Sequence, residues 1–123
     1  MYTAYVLTEE TREALLELYP PKYDKVIAEH ITVDFGVPID ADLPEGDWIK
    51  VIGEADSKDG LQALVVSVDG DSRRPDGKTY HITWSLDPDK YKPVDYNELI
   101  ADYSKRWKLG LGVTIDAEPT LLK

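Results

Sequence analysis

Residues 79–86 read Thr-Tyr-His-Ile-Thr-Trp-Ser-Leu, with polar and apolar side chains in strict alternation. Successive side chains of a β-strand point to opposite faces of the sheet, so this alternation predicts a strand with one polar and one apolar face. A second run, residues 28–35, has the same character and carries His-Ile-Thr-Val at 30–33, where the first run carries His-Ile-Thr-Trp at 81–84. The chain has two histidines, and each of them begins one copy of the repeated His-Ile-Thr motif.

The polar face of each predicted strand presents one imidazole and one hydroxyl. His30 shares its face with Thr32, and His81 shares its face with Thr83, because residues two apart point the same way. The same alternation places Asp34 on the His30 face. It assigns the opposite, apolar face to Ile31, Val33 and Phe35. Since histidine titrates nearest to neutral pH, the four repeated residues are the first candidates for a catalytic site.

The first half of the chain shows further elements. A strand is predicted over Tyr2–Leu7, followed by a helix that Thr8 caps and that Pro20 and Pro21 stop. Trp48–Ala55 and Leu61–Val68 read as two strands joined by a polar turn, which predicts a hairpin.

The second half continues with a loop and a helix signal. Residues 69–78 contain Asp76-Gly77 and read as the loop before the second histidine strand. Asp95 followed by Glu98 forms a capping-box pattern, and apolar residues then recur at helical spacing as far as Trp107. Gly110 and Gly112 are expected to close this helix, and a final strand is expected to begin over residues 113–115.

This order, β-α-β, then β-β, then β-α-β, places one histidine strand in each half. It predicts one α+β domain over residues 1–123, with two helices packed outside the sheet and a cleft on its other face.

The composition limits the ligands, the chemistry and the compartment to be expected. Twenty-four acidic and fourteen basic residues give a net charge of −10, which disfavours long duplex nucleic acid and leaves a small nucleotide, a cyclic phosphate or an RNA end as the partner. The absence of cysteine excludes disulfides and thiolate chemistry. No apolar run approaches the ~20 residues of a membrane span, and residues 1–4 do not resemble a signal peptide, so a cytoplasmic protein with no membrane partner is expected. Oligomeric state is left open.

Two His-x-Thr motifs on strands of a small α+β domain resemble the 2H phosphoesterase superfamily. The family pattern of histidine, apolar residue, threonine and apolar residue is matched at all eight positions of 30–33 and 81–84. The resemblance implies a pseudo-duplicated domain whose antiparallel sheets form a cleft. It also implies a phosphodiesterase acting on a 2′,3′-cyclic phosphate, a 2′-5′ linkage or a cyclic oligonucleotide. His30 and His81 would then be catalytic, and Thr32 and Thr83 would bind phosphate. The chain is shorter than typical members, which leaves the substrate open.

The same chemistry follows from the side chains. In-line cleavage of a phosphodiester needs a base for the attacking oxygen and an acid for the leaving one, and two histidines can supply both without a metal or other cofactor. The threonine hydroxyls can donate hydrogen bonds to non-bridging oxygens. The roles are left open, with His30 as base and His81 as acid as the working assignment.

Two alternatives remain. His30, His81 and Asp34 form a possible facial triad for a divalent metal, although Asp34 lies about 13 Å along the strand from His30 at ~3.3 Å per residue. A non-catalytic nucleotide-binding protein, acting as a sponge or sensor, would use the same cleft.

Other residues are candidates for substrate binding. Arg73, Arg74 and Lys78 precede the second motif and could offset phosphate charge. Tyr5 is the candidate platform for a base, whereas Tyr80 and Trp84 lie on the face opposite His81 and are expected in the core.

Overall fold

The computed structural model describes residues 1–92, 95 and 107–123, with the backbone alone over 107–111. The described elements are one α-helix and eight β-strands. In chain order they are β1 (Tyr2–Leu7), α1 (Glu9–Leu18), β2 (Lys25–Val26), β3 (His30–Phe35), β4 (Ile49–Asp56), β5 (Leu61–Val68), β6 (His81–Leu86), β7 (Trp107–Ile115) and β8 (Ala117–Leu122).

All eight strands form one antiparallel sheet that curls into a half-barrel. Its order is β7-β4-β5-β6-β3-β1-β8, and β2 pairs with β6 beside this path. The described chain is therefore mostly antiparallel sheet with one helix. Strands β3 and β6, which carry the two histidines, are neighbours in the middle of the sheet.

One face of the sheet packs into the main core. Tyr5, Ile31, Ile82 and Leu64 form a row across four strands and are each at most 2% exposed. Leu15 of α1 belongs to the same buried cluster, so the helix covers this face. We call it the core face, and its reverse the histidine face.

The start of α1 follows its sequence signal. The Thr8 hydroxyl accepts a hydrogen bond from the Thr11 backbone N–H at 3.3 Å, which satisfies one of the free donors of the first helical turn. The helix ends at Leu18, ahead of Pro20 and Pro21. The predicted first strand, first helix, β4–β5 hairpin and second histidine strand are thus confirmed, with small differences at their ends.

The C-terminal prediction is wrong in part. Trp107 begins β7, so the predicted helix does not reach it, and Gly110 and Gly112 lie inside that strand. The pairing of β4 with β7 shifts register in this stretch, and Gly112 has a φ of 81°, so the glycines serve an irregular strand and not a helix end. The remainder of the predicted helix, residues 96–106, lies outside the described residues.

Two strands of the structure, β2 and β8, are not predicted from the sequence. β8 runs antiparallel to β1 over its full length, and β2 pairs with the end of β6. No helix in the part of the chain that the structure describes is long and apolar enough to cross a membrane.

Candidate active site

The two repeated motifs meet where β3 and β6 pair. Ile31 is the partner of Ile82 in this antiparallel pair, and both are fully buried in the core face. Residues on either side of each isoleucine point the other way. Four side chains therefore project together from the histidine face: those of His30, Thr32, His81 and Thr83.

The antiparallel direction crosses the two motifs over. It places His30 towards Thr83 and Thr32 towards His81, on strands separated by about 4.8 Å. Each imidazole thus lies beside the hydroxyl of the other motif. All four residues are half-buried.

A β-bulge in β3 changes which residues accompany His30. Thr3 pairs with Asp34 while Ala4 pairs with Thr32, so one residue of β3, Val33, has no partner on β1. The bulge reverses the alternation beyond it. The prediction that Asp34 shares the His30 face is therefore wrong, because Asp34 lies in the row of buried Thr3.

Phe35 takes the place predicted for Asp34. It pairs with Tyr2 of β1, whose ring lies 5.5 Å from the Phe35 ring and 5.6 Å from the His30 ring between centroids. Phe35 is 59% exposed. Two aromatic rings therefore extend the site on its His30 side, and we call Tyr2 and Phe35 the aromatic wall.

The position of Asp34 away from the histidine face matters for the possible metal site. Within residues 1–92, 95 and 107–123, no three His, Asp or Glu side chains are grouped so that they could hold a metal ion. Of the proposed triad, the two histidines are brought together and the carboxylate is not.

His81 is held by the backbone just ahead of its own strand. Its Nδ1 lies 3.0 Å from the carbonyl oxygen of Thr79, and a carbonyl only accepts, so Nδ1 carries the hydrogen. In the neutral ring the lone pair is then on Nε2. Burial lowers the pKa of His81; the Thr79 hydrogen bond opposes this, and the positive charges of Arg74 and of protonated His30 add to the lowering.

His30 has a similar environment with one difference. Its side chain is 24% exposed, and burial lowers its pKa, while the charge of Glu29 acts in the opposite direction. The Glu29 carboxylate lies 4.0 Å from His30 Nδ1. On the far side, Val6 of β1 separates His30 from Glu118 of β8 in the same row. A nearby carboxylate thus favours the protonated form of His30, whereas Arg74 disfavours that of His81.

The three cationic candidates lie on one hairpin but in different environments. Arg74 is buried, forms two hydrogen bonds to the Asp76 carboxylate at 2.8 and 3.2 Å, and places its guanidinium carbon 5.6 Å from the Phe35 ring centroid. Arg73 pairs with Thr79 across this hairpin, and both Arg73 and Lys78 are exposed. Arg74 is therefore part of the site's surroundings, while the other two lie at its solvent edge.

Tyr5 does not belong to the site, so its prediction as a substrate platform is wrong. It pairs with Ile31 on the core face and is 2% exposed. Its hydroxyl accepts a hydrogen bond from the Gly46 N–H at 2.7 Å. Tyr80 and Trp84, predicted to be core residues, are confirmed as such, and the Trp84 indole donates to the Tyr19 carbonyl at 2.8 Å.

Sequence reasoning missed the aromatic wall. Tyr2 precedes Ala4 by two residues, so strand alternation could have placed it on one face of β1, but only pairing with β3 shows that this face carries the histidines. Phe35 gave no such signal, because a single bulged residue reverses its side.

Comparison of the chain with known protein families, with characterised proteins and with solved structures found no match.

Proposed function

We propose that this protein is a metal-independent phosphodiesterase that cleaves a small cyclic phosphate or nucleotide phosphodiester with His30 and His81 as its acid and base. One observation carries the proposal. The pairing of Ile31 with Ile82 brings two imidazoles and two hydroxyls from separate parts of the chain onto one face of the sheet. These are the groups that in-line phosphoryl transfer needs.

The hydrogen bond from His81 to Thr79 supports an assignment of roles. It leaves the lone pair of neutral His81 on Nε2, and burial, with the Arg74 charge adding to it, holds the pKa of this ring down, so His81 suits the base that takes a proton from water. Glu29 favours the protonated form of His30, which suits the acid. We therefore propose the reverse of the working assignment made from the sequence.

The reaction proceeds by in-line displacement at phosphorus. His81 removes a proton from a water molecule, whose oxygen forms a new bond to phosphorus. The bond from phosphorus to one ribosyl oxygen breaks, and His30 donates its proton to that oxygen. Thr32 and Thr83 donate hydrogen bonds to the non-bridging oxygens, where negative charge increases in the transition state.

The charge balance of the site favours turnover over storage of a phosphate. Both histidines have lowered pKa values and are mostly neutral at pH 7, and the buried Arg74 already pairs with Asp76. A protein that only holds phosphate would gain more from cations facing the ligand. The nucleotide-binding alternative remains an outcome of the test.

The strand arrangement also supports a pseudo-duplicated 2H phosphoesterase domain. The β3–β6 contact divides the sheet into β3, β1 and β8 on one side and β6, β5, β4 and β7 on the other, with β2 beside β6. One histidine motif then belongs to each half.

The test is turnover in the presence of EDTA. The full chain is incubated with 2′,3′-cyclic nucleotides, 2′-5′ oligoadenylate and cyclic di- and trinucleotides, and products are separated by chromatography. We expect one class to be cleaved, and His30→Ala and His81→Ala each to lose ~10²- to 10⁴-fold in kcat. Asp34→Ala is the matched control, because Asp34 lies on the same strand as His30 but in the row of Thr3.

Three results would contradict the proposal. Turnover that EDTA abolishes would indicate a metal site. Turnover that survives both histidine substitutions would indicate another catalytic centre. Binding of a nucleotide without conversion, at any pH between 5 and 8, would favour the non-catalytic reading.

A further inference from the structure

We propose that the aromatic wall, with Arg74 behind it, is a nucleobase-binding subsite, so that the substrate is a nucleotide bound with its base at the His30 end. This inference rests on the proposed function and adds a substrate class and a binding direction. It also assigns a role to Tyr2, Phe35 and Arg74.

The wall is placed by the fold and not by chance exposure. Tyr2 and Phe35 are register partners on β1 and β3, and the bulge in β3 turns Phe35 onto the face that carries both histidines. The Tyr2 ring is tilted by 43° to His30 and by 36° to Phe35, so it bridges the two. A ligand on the histidine pair therefore lies next to aromatic surface on one side.

Phe35 is unusual for an exposed aromatic residue because it has a fixed support. The Arg74 guanidinium lies 5.6 Å from the Phe35 centroid, and its own side chain is 2% exposed. Asp76 binds that guanidinium at two atoms and so fixes its plane. A ring that remains 59% exposed while it is held by Tyr2 and Arg74 is preorganised for stacking.

The side chains at the His30 end of the site suit a nucleobase more than a second phosphate. The Arg74 charge is paired with Asp76, while Glu29 and Glu118 lie around His30. An additional phosphate near His30 would be repelled by the Glu29 carboxylate, which lies 4.0 Å from His30 Nδ1. A neutral base gains stacking on the rings and brings no charge with it.

The direction follows from the position of the wall. His30 contacts the wall directly, with the Tyr2 and His30 ring centroids 5.6 Å apart, whereas His81 lies on the next strand, β6. A nucleoside whose base stacks on the wall brings its ribosyl oxygens towards His30. The ribosyl oxygen that leaves phosphorus receives the His30 proton as its bond breaks, and the attacking water lies at His81.

The experiment compares two substrates in each variant. The substrates are adenosine 2′,3′-cyclic monophosphate and glycerol 1,2-cyclic phosphate, which has the same reacting ring without a base. The measured quantity is selectivity, the ratio of their kcat/KM values. We expect Phe35→Leu and Tyr2→Leu each to lower selectivity by ~5- to 150-fold, the range that loss of one stacking contact gives.

Conservative and distant variants act as controls. Phe35→Tyr and Tyr2→Phe keep the rings and should keep the selectivity. Ile39→Ala removes an apolar side chain that is 75% exposed in the connection after β3, and should also leave selectivity unchanged.

The outcomes separate this inference from the proposed function. If wild type cleaves both substrates and Phe35→Leu keeps its selectivity, the subsite is refuted while the phosphodiesterase stands. If wild type cleaves neither, the binding direction fails, while the phosphodiesterase proposal is decided by the full substrate panel. Calorimetric binding of adenosine 2′,3′-cyclic monophosphate then decides the subsite, because equal affinity in wild type and Phe35→Leu, or no binding, refutes it.

Discussion

The Nδ1 atom of His81 lies 3.0 Å from the carbonyl oxygen of Thr79. This contact joins the second motif to the residue that begins its strand pattern, two positions earlier. It fixes the ring orientation and the tautomer, which is the role that a carbonyl or carboxylate usually has beside a functional histidine. A backbone carbonyl thus contributes to the orientation of the His81 ring.

The first prediction concerns the pH dependence of kcat/KM. Burial lowers the pKa of both histidines, so both lie below the ordinary value of about 6.5. The base must be neutral and the acid protonated, and the rate is highest between the two pKa values. We expect a bell-shaped profile with its maximum on the acidic side of pH 6.5.

Two charged neighbours allow the profile to be tested further. Glu29→Gln removes the charge that favours protonated His30 and should move one limb to lower pH. Glu9→Gln, in the first turn of α1, is the matched control and should leave both limbs in place. A maximum above pH 7 would contradict the assignment of two histidines with lowered pKa values.

The second prediction separates the acid from the base. The p-nitrophenolate ion leaves without needing a proton, so an acid matters less for bis(p-nitrophenyl) phosphate than for a nucleotide. His30→Ala should therefore lose much less activity on this ester than on the cyclic nucleotide, whereas His81→Ala should be impaired on both. The kcat/KM values of both variants on both substrates decide the matter, and the opposite pattern would restore His30 as the base.

The third prediction concerns the two hydroxyls. Thr32→Val and Thr83→Val keep the shape of the side chain and remove its donor, and each should lower kcat by up to ~10²-fold, the lower end for loss of one oxyanion donor. Thr32→Ser and Thr83→Ser retain the hydroxyl and should recover most of the rate. Steady-state kinetics of the four variants test this. Equal kcat in the valine and serine variants would show that the hydroxyls do not contact the phosphate.

The fourth prediction follows from the position of Tyr5 in the core. Tyr5→Phe removes the acceptor of the Gly46 N–H and should lower the free energy of unfolding by about 1 kcal/mol. Because Tyr5 lies on the core face, KM for a nucleotide substrate should not change. Urea denaturation and steady-state kinetics measure the two effects, and a raised KM with unchanged stability would return Tyr5 to the site.

Much of this site could be predicted from the sequence because strand alternation depends on nearest neighbours. His81 and Thr83 share a face in any regular strand, and so do His30 and Thr32. The partner of each strand depends on contacts distant in the sequence, and the pairing of Ile31 with Ile82 has no local signal. The meeting of the two motifs was therefore expected only through a resemblance.

The two errors near the site have different physical causes. Asp34 and Phe35 exchanged faces because one bulged residue, Val33, reverses the alternation, and neither propensity nor periodicity reveals a bulge. The prediction for Tyr5 rests on residue type alone, since a tyrosine ring can stack on a base. Its neighbours Ala4 and Val6 gave no alternation that could tell one face from the other.

The last prediction links the two histidines to stability. Their pKa values are lowered in the folded state, so between that value and about 6.5 the unfolded chain binds more protons than the folded one. Stability is then fully present above pH 6.5 and decreases as the pH falls through the folded pKa values. Asp56 and Asp76 also have lowered pKa values, but a carboxylate loses its contribution only well below pH 5.

Urea denaturation at pH 7.5, 6.5 and 5.5 measures the contribution of His81 to the free energy of unfolding, by comparison of wild type with His81→Gln. Wild type should lose stability over this range relative to His81→Gln, whose side chain does not titrate. The net charge of −10 changes with pH in both proteins, so its effect largely cancels in the difference. A difference that stays constant with pH would mean that His81 titrates alike in the folded and unfolded chain, and that the buried, neutral imidazole assigned to the base is wrong.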